Sequence, residues 1–125
     1  MSLAEAVQAA SIEPERPRVA VVRRWGDYVI LAMGARYKVK ILSLRPGAAI
    51  SLQLHRRRAE HWVVLEGEAE VILGDRRLRL GHNDAVDVPI GVKHRLSNAG
   101  TSWLRVIEVQ TGTYFGEDDI ERFES

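Results

Sequence analysis

No cysteine occurs anywhere in the 125 residues, so disulfides and thiolate metal sites are both excluded. No apolar run approaches the roughly 20 residues a membrane helix needs. Met1 to Ala10 lacks a basic flank and carries Glu5, which does not fit a secretory signal. An excess of one charge is also missing. The 18 Lys and Arg nearly balance the 17 Asp and Glu, and a net charge of +1 argues against bulk attraction to nucleic acid. Beyond the N-terminus there is no long amphipathic helical pattern. These absences leave a cytoplasmic globular protein with neither a membrane nor a nucleic-acid partner as the expectation.

What is present reads as one all-β domain. Residues 2–10 favour a short helix, with Ser2 as N-cap and Glu5 in capping-box position. Pro14 and Pro17 break it, so residues 1–22 form an N-terminal extension of helix or linker, with a short strand expected over Val19 to Val22. From residue 23 to 125 a single domain is expected. Its short β-branched runs alternate with Gly, Pro, Asn and Asp turns, giving about eight strands. Such spacing means a sandwich or small barrel. The acidic tail after Thr113 has spaced apolar residues and reads either as loosely packed or as fraying.

One stretch carries the chemistry: Ser51-Leu-Gln-Leu-His-Arg-Arg-Arg-Ala-Glu-His-Trp62, with Pro89-Ile-Gly-Val-Lys-His94 as its distant partner. Gln53 and His55 are two apart and share a strand face. Glu60 and His94 can reach the same interior if their strands are neighbours. An amide oxygen, two imidazoles and a carboxylate would together bind a divalent metal, and coordination would satisfy four polar groups that are costly to bury. The competing reading makes them surface histidines and a solvated charge.

The spacing resembles a known family. Gly47, five residues, Gln53-x-His55, four residues, Glu60, six residues and Gly67 are similar to the first cupin motif. Gly81, seven residues, Pro89-x-Gly91-x-x-His94-x-x-x-Asn98 are similar to the second, with two more residues than usual after its first Gly. The resemblance implies an antiparallel β-barrel of the jelly-roll type (a double-stranded β-helix), with metal ligands at Gln53, His55, Glu60 and His94. Gln53, where most cupins have His, resembles the site of phosphomannose isomerases. Arg24-Trp-Gly-Asp-Tyr28, Arg58-Ala-Glu-His-Trp62, Ile107-Glu-Val-Gln110 and Gly116-Glu-Asp-Asp-Ile120 further resemble the C-terminal isomerase domain of type II mannose-6-phosphate isomerase/mannose-1-phosphate guanylyltransferases. A stand-alone isomerase domain without the nucleotidyl-transfer portion is therefore expected. One departure is Arg56-Arg57, where that subfamily often shows His-His.

The implied reaction interconverts mannose 6-phosphate and fructose 6-phosphate through an enediolate. Zinc is the first expectation for the metal, with manganese, cobalt, nickel and iron also suited to the donor set. For the base, His61, Lys38, Lys40 or a bound water are open. His61 follows Glu60 directly, so a regular strand turns it outward unless a bulge intervenes. Arg58 reads either as a phosphate- or oxyanion-binding fork or as part of a solvated loop. Lys38 and Lys40 share one face, either lining the pocket or solubilising an edge. A sugar phosphate is the expected small-molecule partner, and a homodimer is expected from exposed edges and the N-terminal segment. The alternative is a cupin that binds a sugar or sugar nucleotide without turnover.

Overall fold

The computed structural model describes residues 19–123. In chain order the strands are β1 (Ala20–Arg23), β2 (Gly26–Met33), β3 (Tyr37–Leu44), β4 (Leu52–His55), β5 (Arg58–Glu66), β6 (Ala69–Leu73), β7 (Arg76–Leu80), β8 (Ala85–Val88), β9 (His94–Asn98), β10 (Leu104–Gly112) and β11 (Ile120–Phe123). One sheet runs β1-β2-β3-β10-β5-β8 and the other β11-β4-β9-β6-β7. All pairings are antiparallel. The expected all-β, jelly-roll type of architecture is what forms. The expected helix at residues 2–10 lies outside the described residues.

Period-two alternation explains how the core is built. On β5 the residues Arg58, Glu60, Trp62 and Val64 are buried, while their neighbours are exposed or half-buried. On β10 the buried series is Leu104, Val106, Glu108 and Gln110. Register then stacks these series into rows across the sheet. Leu42, Val106 and Val64 form one row; Lys40, Glu108 and Trp62 form the next. Beyond them, Lys38, Gln110 and Glu60 line up. One end of the interior is therefore apolar, closed by Leu44, Leu104, Val71 and Leu96. The other end is polar. Burial of the aliphatic end supplies the stabilisation that tolerates polar groups at the opposite end.

Two glycines are required where they stand. Gly67 has φ 88°, and a Cβ there would sit 2.7 Å from the Trp103 carbonyl oxygen. Gly91 has φ 77° and closes the turn ahead of β9. Its N–H donates to the His55 carbonyl oxygen at 2.7 Å, tying the turn before His94 to the end of β4.

β4 begins only at Leu52, and Ala49 makes an isolated bridge to Ser97. The short strand expected over Val19 to Val22 forms at Ala20–Arg23, where β1 pairs with β2 from Ala20↔Val29 to Arg23↔Gly26. As far as Phe123 the acidic tail is held rather than frayed, because a 3-10 turn at Glu117–Asp119 leads into β11, which pairs with β4. No helix among the described residues is long and apolar enough to cross a membrane.

Candidate metal centre

Three ligating side chains meet at the polar end. Potential ligand atoms of His55, Glu60 and His94 lie within 4.8 Å of one another, and all three residues are buried. β4 delivers His55, β5 Glu60 and β9 His94, while Gln53 lies directly opposite His94 in register. The Gln53 amide nitrogen donates to Ser51 Oγ at 3.0 Å, which leaves its amide oxygen for other partners. His94 Nδ1 lies 2.9 Å from the Val92 carbonyl oxygen. That contact assigns the proton to Nδ1 and leaves the Nε2 lone pair available, the usual outer arrangement of a metal-binding histidine. Two neutral imidazoles, a carboxylate and an amide oxygen suit a borderline divalent cation, so the residues fit the expected metal.

Burial and charge set the protonation states. Burial above all, with the Arg58 charge and His94 beside it, pushes the His55 imidazole down to about 3. Burial likewise lowers His94 from its ordinary value. A folded-state value below that of the unfolded chain means the folded state binds fewer protons. The corresponding stability is complete above about pH 6.5 and is lost as pH falls toward the folded value. Chelator-treated protein should thus lose about 2 kcal/mol through His55 between pH 6.5 and about 5. Urea titrations at a series of pH values check this, and a midpoint that stays level across that range would contradict a buried neutral imidazole.

A cavity of about 570 Å³, lined in part by Gln53, Glu60 and His94, is large enough for a small ligand. Its lining includes Trp25, Tyr28, Lys40, Arg58, Glu108, Gln110 and Arg122. Arg58 is not a solvated loop residue. It is buried, with Nε 3.2 Å from Glu60 Oε2 and Nη2 donating to His55 Nε2 at 3.2 Å. Trp62 forms a wall, donating from Nε1 to Glu60 Oε1 at 2.9 Å and meeting the His94 ring edge-on at 5.6 Å.

Two residues expected to be catalytic stand elsewhere. His61 is exposed and paired with Asp87 on the outer face of the sheet. The register across β10, β5 and β8 is regular at this point, so no bulge turns it inward. Lys38 is half-buried but does not line the cavity, whereas Lys40, on the same face two residues on, does. The Lys40 ammonium sits 4.2 Å from the Tyr28 ring centroid, and burial lowers its pKa from the ordinary value. Arg56 and Arg57 are exposed. Lys93 is exposed, but Arg95 is half-buried at the cavity lining. Trp103 lies at the surface, 45% exposed. Asn98 braces a turn, its amide nitrogen donating to the Leu44 and Ser102 carbonyls.

Sequence pattern assigns no role to Glu108 and Gln110, although both share strand parity with Leu104 and Val106. Burial, reinforced by the Glu60 charge, pushes the Glu108 carboxyl up to about 8, so it is protonated at neutral pH. Gln110 donates from Nε2 to Glu108 Oε1. Its own Oε1 is buried without a hydrogen-bond partner, an acceptor left for a ligand at the cavity wall.

Residues 13–125 match the family model described as mannose-6-phosphate isomerase C-terminal. Xanthan biosynthesis protein XanB of Xanthomonas campestris pv. campestris (strain B100) is 53% identical over 83% of this chain and 22% of its own length. Alginate biosynthesis protein AlgA of Pseudomonas fluorescens is 51% identical over the same shares. Mannose-1-phosphate guanylyltransferase ManC of Salmonella typhimurium is 44% identical, again over 83% and 22%. The chain thus spans about a fifth of the length of these curated relatives. Among solved structures, the capsular polysaccharide assembling protein CapF of Staphylococcus aureus superposes with a TM-score of 0.75 at 19% identity, over 89% of this chain and 35% of CapF. Oxalate decarboxylase from Bacillus subtilis gives 0.75 at 18% identity, over 85% and 30%. The cupin domain of Schizosaccharomyces pombe Cnp3 gives 0.67 at 16%, over 69% and 64%. These three show the fold, which is that of a cupin.

Proposed function

The chain belongs to the mannose-6-phosphate isomerase C-terminal family, and on that premise we propose that it interconverts mannose 6-phosphate and fructose 6-phosphate. One observation carries the reading: His55, Glu60 and His94 converge, with Gln53 opposite His94, beside a cavity lined by Gln53, Glu60, His94, Lys40 and Arg58. Gln53, His55, Glu60 and His94 would hold the metal, which when bound supplies a Lewis acid for the sugar's C1 and C2 oxygens.

The chain's own groups do the rest. Lys40, in its neutral form, takes the proton from C2 of the aldose and returns it to C1 while the O2 hydroxyl proton passes to O1, so carbonyl and alcohol exchange with no oxidant consumed. Burial favours that form, and no other amine among the described residues lines the cavity. Arg58 fixes the orientation of the His55 and Glu60 side chains through its fork. Protonated Glu108 hydrogen-bonds to Glu60, which limits the negative charge buried near the reacting carbons. The free acceptor of Gln110 receives a sugar hydroxyl. At the cavity mouth, Arg24 and Arg122 supply cations for the phosphate.

Arg58 favours a second reading, because its guanidinium already satisfies buried His55 and Glu60. A cupin that binds sugar without turnover would have that arrangement. The test is conversion of mannose 6-phosphate by chelator-stripped protein resupplied with zinc, cobalt or manganese. Turnover restored by a metal is the expected result. Stoichiometric metal uptake with no turnover would remove the isomerase reading and leave the binding one.

A further inference from the structure

The turn from β4 to β5 lies between two of the ligands, with His55 at its start and Glu60 two residues beyond its end. Strand β4 is held unequally by its neighbours. It makes one register pair with β9, Gln53↔His94, but four with β11, from Ile120↔His55 to Phe123↔Leu52. The turn is gripped from the same side. Asp119 Oδ1 accepts from the Arg56 backbone N–H at 3.2 Å, and Oδ2 accepts from that of Arg57 at 3.0 Å. Arg56 also forks onto Glu121, with Nε 2.9 Å from Oε1 and Nη2 3.3 Å from Oε2. The Thr113 N–H donates to the Arg57 carbonyl at 3.1 Å, and Arg58 Nη1 donates to the Phe115 carbonyl at 3.3 Å. Each end of the turn, and its middle, is therefore bonded to the segment Thr113–Phe123.

We infer that this C-terminal segment is a clamp that sets the metal-ligand geometry, with Asp119 as its positioning residue; the inference rests on reading His55 and Glu60 as ligands. A carboxylate that accepts from two successive backbone N–H groups fixes their relative orientation. Here those groups separate His55 from Arg58 and Glu60. Arg56 and Arg57 are exposed, so removing Asp119 leaves their N–H groups to water and costs little folding energy. What it removes is the constraint on how His55 and Glu60 face each other. Metal sites respond strongly to such loosening, since outer partners that orient ligands typically alter affinity by about 10- to 100-fold.

Cobalt alone is the probe, read by its visible ligand-field bands and by competition with a chelator of known affinity. The full chain, Asp119→Ala and Asp119→Asn are compared, with thermal unfolding of each measured in chelator. The expected result is cobalt affinity weakened about 10- to 100-fold in Asp119→Ala, with shifted bands and little change in unfolding temperature. Asp119→Asn keeps one acceptor oxygen and should fall between; it also decides the matter if the alanine variant does not fold. Variants that hold cobalt as tightly as the parent, with the same bands, would overturn the clamp alone. A parent chain that takes up no cobalt would overturn the ligand assignment and the clamp with it.

Discussion

Glu60→Gln should release the metal while leaving the fold in place. The carboxylate is the single anionic donor in the ligand set, and replacing it with an amide keeps the volume but removes the charge that offsets a divalent cation. Changes to groups that only orient a ligand already weaken metal binding by about 10- to 100-fold. Loss of a direct ligand should exceed that, so a weakening of at least about 100-fold is expected, with isomerisation falling in parallel. Trp62 Nε1 donates to one carboxylate oxygen and Arg58 Nε to the other, so the amide keeps the volume and one of these two acceptors. Equilibrium dialysis against zinc, with circular dichroism as a check on folding, measures both parts. Stoichiometric zinc at unchanged affinity would remove Glu60 from the ligand set and with it the family-derived assignment.

Lys40→Met should separate binding from chemistry. Methionine retains the unbranched apolar stem that packs in the barrel but cannot exchange a proton. A positioned acid or base typically contributes about 10²- to 10⁴-fold to rate, so kcat should fall by about that factor. KM and metal content should change far less, because the four ligands sit on β4, β5 and β9 and Lys40 on β3. Proton exchange at C2, followed by loss of deuterium from labelled mannose 6-phosphate, should fall with kcat. His61→Gln serves as the contrast, with kcat expected within about twofold of the parent, since its imidazole lies outside with Asp87. If His61→Gln abolished turnover and Lys40→Met did not, the placement of the base would be reversed.

The strands and the ligand types are legible in the amino-acid sequence. Alternation of apolar and polar residues marks strands because successive side chains leave opposite faces. Gly and Pro turns set their limits, so the all-β class and most strand positions follow from local chemistry. Gln53 and His55 share a face for the same reason.

Alternation does not say which face is inside, and there local pattern ends. Lys38 and Lys40 have equal parity, and only the register of β3 on β10 puts Lys40 in the row of Glu108 and Lys38 one row further out. By alternation alone His61 is open to either role, because a bulge would reverse it; the regular pairing of β5 with both neighbours excludes that. Glu108 and Gln110 read as polar ends of a strand until closure of the barrel puts them in its interior. The pairing of β11 with β4 joins residues more than sixty positions apart. No local pattern encodes such a contact, since it is selected by the surface that the rest of the barrel presents. The sequence determined the strands and the ligand types; tertiary closure decided which polar side chains share the cavity.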